Sequence, residues 1–152
     1  EGWTYITPPV NGWTLVSSNG FIGYEKEEAA AKLVSLSEAF GEAQFFATYR
    51  VVGLSSWGKA QRGQLTRYYA YLGERGENLD VTGEPTPVEQ NLNLINTLGP
   101  EAQQEGYFDR EDISNPTEDV VMKIAAAWSI DPTTLEERTE LGLGLGLLWK
   151  SL

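Results

Sequence analysis

Apolar positions along the chain change period several times, and each change marks an element. From Glu25 to Phe40 the spacing is helical, with Ala29, Leu33, Leu36 and Phe40 forming one stripe. Glu27 and Glu28 fall in the first turn, where the helix dipole favours acids. Glu28 and Lys32 make an i,i+4 pair, and Gly41 stands where a C-terminal cap belongs. From Ala43 to Val52 the period drops to two. Ala43, Phe45, Ala47, Tyr49 and Val51 make an apolar face against a mixed one, the pattern of a strand with one face on the core. The stretch Ser56-Trp57-Gly58-Lys59-Ala60 leads to Arg62-Gly63, and Gln64 to Leu72 returns with the β-prone run Tyr68-Tyr69-Ala70-Tyr71. These segments predict an antiparallel meander over about 43–72.

Outside this block the pattern is carried by turns and helix starts. Residues 1–24 are rich in Gly, Pro, Trp and Tyr, with one short strand expected at Trp13-Thr14-Leu15-Val16. The stretch from Glu74 to Glu84 reads as an acidic, turn-rich loop. Thr86-Pro87-Val88-Glu89 and Asn115-Pro116-Thr117-Glu118 each offer a capping residue, a proline and a glutamate at helix-start spacing. Asp131-Pro132-Thr133-Thr134 has the first two of these. After Asn115 the residues Val120, Val121, Ile124, Ala125 and Trp128 share one helical face. Residues 95–115 carry the weakest pattern. The tail alternates Leu and Gly from Leu141 to Leu147, as an extended strand with its leucines on one face would. The fold class is therefore α+β: one domain over 1–152, an antiparallel sheet packed by two to four helices.

Composition narrows the chemistry. The 152 residues fit one ordinary domain. There is no Cys and no His, which removes disulfides, Cys- or His-ligated metals, and Ser-His-Asp or Cys-His catalysis. Twenty-two acids against 11 Lys and Arg give a net charge of −11. Such a surface repels nucleic acid and anionic membranes and attracts a basic protein. No apolar run approaches the ~20 residues of a membrane helix. The chain opens at Glu1 rather than Met, so a preceding segment is expected to have been removed. A cytoplasmic location is expected, or a periplasmic one if that segment was a signal peptide.

Three sets of residues are candidates for function. Carboxylates can work in pairs without His, and Glu74, Glu77, Asp80 and Glu84 form the densest group, followed by Asp109, Glu111, Asp112 and Asp119. Such acids are ordinarily solvated loop residues, and no catalytic residue is assigned among them. Asp109-Arg110-Glu111-Asp112 lacks the ligand spacing and central Gly of a calcium loop, so no metal and no cofactor is expected. The segment 121–132 has the outline of a helix-turn-helix. Its second helix would carry Glu136 and Glu137 against Arg138 alone, which fits an ordinary helix pair better than a DNA reader. Trp57, Tyr69 and Tyr71 in the expected hairpin are the aromatic candidates, as a partner contact or a sugar-stacking face.

The runs Phe45-Phe46-Ala47-Thr48-Tyr49-Arg50-Val51-Val52, Ser56-Trp57-Gly58-Lys59-Ala60, Arg67 to Glu77 and Trp128-Ser129-Ile130-Asp131-Pro132 resemble small bacterial proteins, some of them immunity proteins of secreted-toxin systems. The resemblance covers about half of the chain. It implies an inhibitor that neutralises a toxin by binding it, without chemistry. Trp57, Glu74, Glu77, Asp80 and Glu84 are the residues expected to meet such a partner, a basic toxin or effector domain. Two other readings stay open: an enzyme using carboxylates alone, glycosidase- or lyase-like, and a module binding a small ligand or glycan.

Overall fold

The computed structural model describes residues 2–19, 25–136 and 146–150. It has the expected α+β architecture, with two antiparallel sheets and three α-helices. In chain order the elements are β1 (Trp3–Ile6), β2 (Val16–Ser18), α1 (Lys26–Phe40), β3 (Glu42–Tyr49), β4 (Leu54–Gln61), β5 (Gln64–Leu72), β6 (Glu77–Thr82), α2 (Pro87–Gln90), α3 (Glu118–Trp128) and β7 (Leu147–Lys150). The larger sheet runs β3-β4-β5-β6 and the smaller one β2-β1-β7.

The meander forms as expected and gains a strand. Arg62 and Gly63 both take positive φ, 48° and 78°, and close the β4–β5 hairpin in the two-residue turn that suits twisted strands. The segment expected as an acidic loop contains β6, which pairs with β5 from Leu72↔Glu77 to Tyr68↔Thr82. Its acids hid a strand whose Leu79 and Val81 pack on opposite faces of the sheet. β3 is shorter than expected. The chain turns after Tyr49, and Val51 stands exposed in the turn rather than in the strand.

Both faces of the larger sheet are covered, not one. Helix α1 lies on the face made by Ala43, Ala60, Tyr68 and Ala70, with Phe45 and Leu65 beside them. It lies close there: a Cβ on Gly58 would stand 2.8 Å from Leu33 Cδ1. The buried stripe of α1 is Ala29, Leu33 and Ser37, while Leu36 and Phe40 face outward. Ser37 displaces the expected apolar positions because its hydroxyl accepts a hydrogen bond from the Gly63 amide (2.9 Å) and donates to Val34 O (2.9 Å). Gly41 caps the helix as expected.

The opposite face holds the main core: Trp57, Tyr69 and Tyr71 from the sheet against Val121 and Ile124 of α3, with Ile95 and Tyr107. Ile95 and Tyr107 come from the weakly patterned stretch, which is ordered by packing rather than by periodicity. Tyr69 donates to Ile95 O at 2.7 Å, and the Asn96 amide donates to the Tyr107 hydroxyl at 2.8 Å. Helix α3 buries Val120, Val121, Ile124 and Ala125 as its spacing predicts. It starts at Glu118, with Thr117 at the N-cap position but making no side-chain capping hydrogen bond, and the Asn115 side chain accepts from the Tyr71 hydroxyl (3.3 Å). Asp131 caps only a 3-10 turn over Pro132–Thr134. The alternating Leu-Gly tail up to residue 145 lies outside the described residues, as do Glu137 and Arg138.

The N-terminal strand expected at 13–16 is displaced. Asn11 and Gly12 form a tight turn closed by a Val10–Trp13 bridge, and the strands lie on either side as β1 and β2.

Candidate functional site

The most concentrated chemistry in the fold is buried. Glu89 reaches the interior from α2, where the Thr86-Pro87-Val88-Glu89 start forms the expected capping box. Glu89 Oε1 accepts from Trp57 Nε1 at 2.8 Å and from Arg67 Nε at 2.8 Å. Arg67 Nη2 stands 2.8 Å from the same oxygen. Glu89 Oε2 accepts from the Thr86 amide (2.8 Å) and hydroxyl (2.6 Å). Arg67 Nη1 donates to the carbonyls of Thr82 (3.1 Å) and Gly83 (2.9 Å). Trp128 of α3 joins through its indole N–H on Thr86 Oγ1 (3.2 Å).

Burial alone would raise the Glu89 pKa. The hydrogen bonds from Arg67 and Thr86, with the Arg67 charge, outweigh it and hold the carboxyl below its ordinary value. Both carboxylate oxygens are engaged, and both side chains are buried. A general acid or base needs an accessible proton path and a substrate within reach. This cluster instead ties β4, β5, α2 and α3 together.

Trp57 belongs to that interior. It has no exposed surface and stacks on Tyr69 with ring centroids 4.3 Å apart and planes at 10°. The expected contact through Trp57 is therefore corrected: the Ser, Gly and Lys around it in sequence are its strand neighbours, and its ring points into the core. Tyr69 and Tyr71 are buried with it, so the hairpin presents no aromatic platform for a sugar. Burial raises the Tyr69 pKa.

The four candidate acids do not converge. Glu74 and Glu77 flank the β5–β6 turn, and Glu84 lies beyond the far end of β6. Glu77 pairs with Arg75 at 3.4 Å. Asp80 pairs with Lys26 of α1 at 2.8 Å and accepts from the Thr82 hydroxyl. Glu74 and Glu84 are exposed. In the second group Asp112 is held by Arg110 and Asn93, and Arg110 keeps its carboxyl below the usual range. Asp109, Glu111 and Asp119 are exposed. Among the described residues no three metal-ligating side chains cluster.

A shallow cavity of about 220 Å³ opens beside this group, lined by Asn93, Asn96, Glu101, Tyr107 and Arg110 among others. Its polar groups already engage one another. Arg110 faces Asp112 and Glu101, and the Tyr107 hydroxyl sits on the Asn96 backbone.

Apolar surface is concentrated on the smaller sheet instead. Register places Trp3, Tyr5, Ser17 and Leu148 on one face, and Thr4, Ile6, Val16, Leu147 and Trp149 on the other. Trp3 and Tyr5 are each 38% exposed, Leu148 60%, and Leu147 and Trp149 70%. Among the described residues no helix lies across either face. Two-sided exposure of large apolar side chains is unusual for a strand set. The signal in the sequence was Trp3-Thr4-Tyr5-Ile6 and Leu147-Leu148-Trp149-Lys150, apolar on alternate and on consecutive positions. Comparison with protein-family models, curated proteins and solved structures finds no match to this chain. Among the described residues no helix is long and apolar enough to cross a membrane.

Proposed function

We propose that this chain is a non-catalytic protein-binding domain that makes its contacts through the β2-β1-β7 sheet. The carrying observation is the crowding of exposed large apolar side chains in that sheet, where Trp3, Tyr5, Val16, Leu147, Leu148 and Trp149 all fall. Its large apolar side chains are left in solvent, whereas the buried ionic cluster and the cavity groups are occupied within the chain. Trp3, Tyr5 and Trp149 are the side-chain types that anchor interfaces, burying large area at low entropic cost. The net charge of −11 adds long-range attraction for a basic partner. Inhibition of a basic toxin, as an immunity protein, is the specific form of this reading that the acidic surface favours.

Site-specific photo-crosslinking in the source cells tests it. A photoreactive phenylalanine analogue at Trp149 or Tyr5 is expected to yield an adduct with a different polypeptide, and the same probe at Phe108, exposed on the main body, is not. Absence of adducts at both sheet positions, or the same adducts from Phe108, overturns the assignment of the surface. For the inhibitor form, the captured partner is expected to be a basic toxin whose activity this chain abolishes on mixing.

A further inference from the structure

The smaller sheet ends in β7, whose outer edge meets no strand among the described residues. All four of its residues are exposed. It contains no Pro and no bulge, and its one charge, Lys150, is at its end. Natural edge strands are ordinarily blunted by Pro, bulges, charges or brevity, because a bare edge offers backbone N–H and C=O groups to another strand; β7 has only its four-residue length and the terminal Lys150. The opposite edge, β2, is three residues long and two of them are serine.

We propose that β7 pairs with β7 of a second copy of this chain, in an antiparallel, twofold-symmetric dimer that joins the two small sheets into one of six strands. This rests on reading the sheet as a contact surface and adds the occupant of its edge, leaving the two faces for a different protein.

Two features of β7 select a second copy. The first is register. About a twofold axis through the sheet, residues that oppose each other must share a face, so one residue sits opposite itself. With Leu148 on the axis, Leu148 meets its own counterpart, Leu147 meets Trp149, and Lys150 meets Gly146, which has no side chain to oppose the charge. Every cross-strand pair is then apolar or unopposed. On the face carrying Tyr5, the row across the join reads Ser17, Tyr5, Leu148 and then the same three reversed. With Trp149 on the axis, Lys150 would oppose Leu148.

The second feature is charge. Two copies at −11 each repel, and they meet with least repulsion where acids are absent. The three strands of this sheet contain no acid. A basic partner, drawn in by the charge of the whole molecule, finds no acid to pair with along this edge. The occupant that fits is an uncharged apolar strand, and β7 is one.

Sedimentation equilibrium of the purified chain across the micromolar range tests this, with L148D and L148K as variants. The wild type is expected to be a dimer. Each variant places like charges opposite each other and is expected to weaken self-association by about tenfold or more. An equimolar mixture of L148D and L148K is expected to restore the dimer as a mixed species. Unchanged circular dichroism and an unchanged main unfolding transition establish that the variants fold. A wild type that remains monomeric, a dimer that L148D leaves intact, or a mixture that stays monomeric overturns the proposal. Crosslinking to a different protein, read independently at Trp149 and Tyr5, separates failure of self-pairing from failure of the binding reading.

Discussion

Arg67 and Glu89 meet at 2.8 Å with their side chains only 5% and 1% exposed, and Trp57 donates to the same carboxylate oxygen. A buried pair is a poor source of net stability but a costly one to break, because the survivor keeps an uncompensated charge. Glu89→Ala is expected to destabilise the fold by about 3–5 kcal/mol, read as a fall in the urea midpoint with unchanged m. Arg67→Met with Glu89→Leu, which removes both charges, is expected to be milder than Glu89→Ala alone. A double variant as unstable as the single one would contradict this account.

The same carboxylate makes stability depend on pH in a defined direction. The folded-state pKa of Glu89 lies below its ordinary value of 4.5. Its contribution is therefore complete above the unfolded-state pKa and is lost as pH falls through the folded-state value. The gap in stability between wild type and Glu89→Gln is expected to be wide near about pH 7 and to narrow toward about pH 3. Glu42, Asp112 and Glu118, whose carboxyls are also held low, lose their contributions in both proteins alike. A gap that is constant with pH would refute the assignment.

Trp57 is a reporter of folding rather than of contact. Trp57→Ala removes a ring stacked on Tyr69 and is expected to cost about 3–5 kcal/mol, while Trp57→Phe keeps most of the packing and loses one hydrogen bond to Glu89. Partner affinity measured well below the unfolding transition is expected to be unchanged in Trp57→Phe. Loss of affinity in a folded Trp57→Phe protein would restore the indole to the binding surface.

These three residues also show where sequence reading reaches its limit. The strands through Trp57 and Arg67 were legible because the β-prone run Tyr68-Tyr69-Ala70-Tyr71 and the Arg62-Gly63 turn are local signals. Helix α3 was legible because Val120, Val121, Ile124, Ala125 and Trp128 repeat at helical spacing. That Glu89 would close on Arg67 was not, since the residues lie on separate elements and no spacing couples them; only the capping box beside Glu89 was visible. Strand β6 was masked by its acids, and Ser37 displaced the apolar stripe of α1 through a hydrogen bond to a distant turn. The apolar surface of the small sheet was missed for the same reason, because Trp3 and Trp149 lie near opposite ends of the sequence and become neighbours only in the sheet.

Gly83, in the β6–α2 connection, is expected to be far less replaceable than Gly76 in the β5–β6 turn. It has φ +75°, and a Cβ there would stand 2.1 Å from Thr66 O. Gly83→Ala therefore combines strain of about 1–3 kcal/mol with displacement of the carbonyl that receives Arg67. Gly76 has a similar φ, +66°, with nothing within 4 Å of the same position. Gly76→Ala is expected to lower the melting temperature clearly less than Gly83→Ala, and equal shifts would contradict the steric argument.

The exposed acids are expected to act on association, not on folding. Glu74→Gln and Glu84→Gln are expected to leave the melting temperature unchanged, and Asp80→Asn to cost at most about 1 kcal/mol through its Lys26 pair. Neutralising Glu74, Glu77, Asp80 and Glu84 together is expected to slow capture of a basic partner and flatten its salt dependence. Unchanged association and salt response in that variant would show that these four residues do not steer the partner.

Trp3 lies across from Lys150 in the small sheet, so that pairing joins segments almost a full chain length apart. The four strands of the larger sheet each pair with their neighbour in sequence and can zip hairpin by hairpin. Closing the small sheet takes the longest loop in the molecule and comes after the meander exists to hold its ends near each other. On the ribosome, Trp3 and Tyr5 are made well before Leu147 to Lys150 and wait for them. The surface proposed to grip other proteins is thus also expected to assemble last, and until it does its strands are open to pairing with the wrong chain.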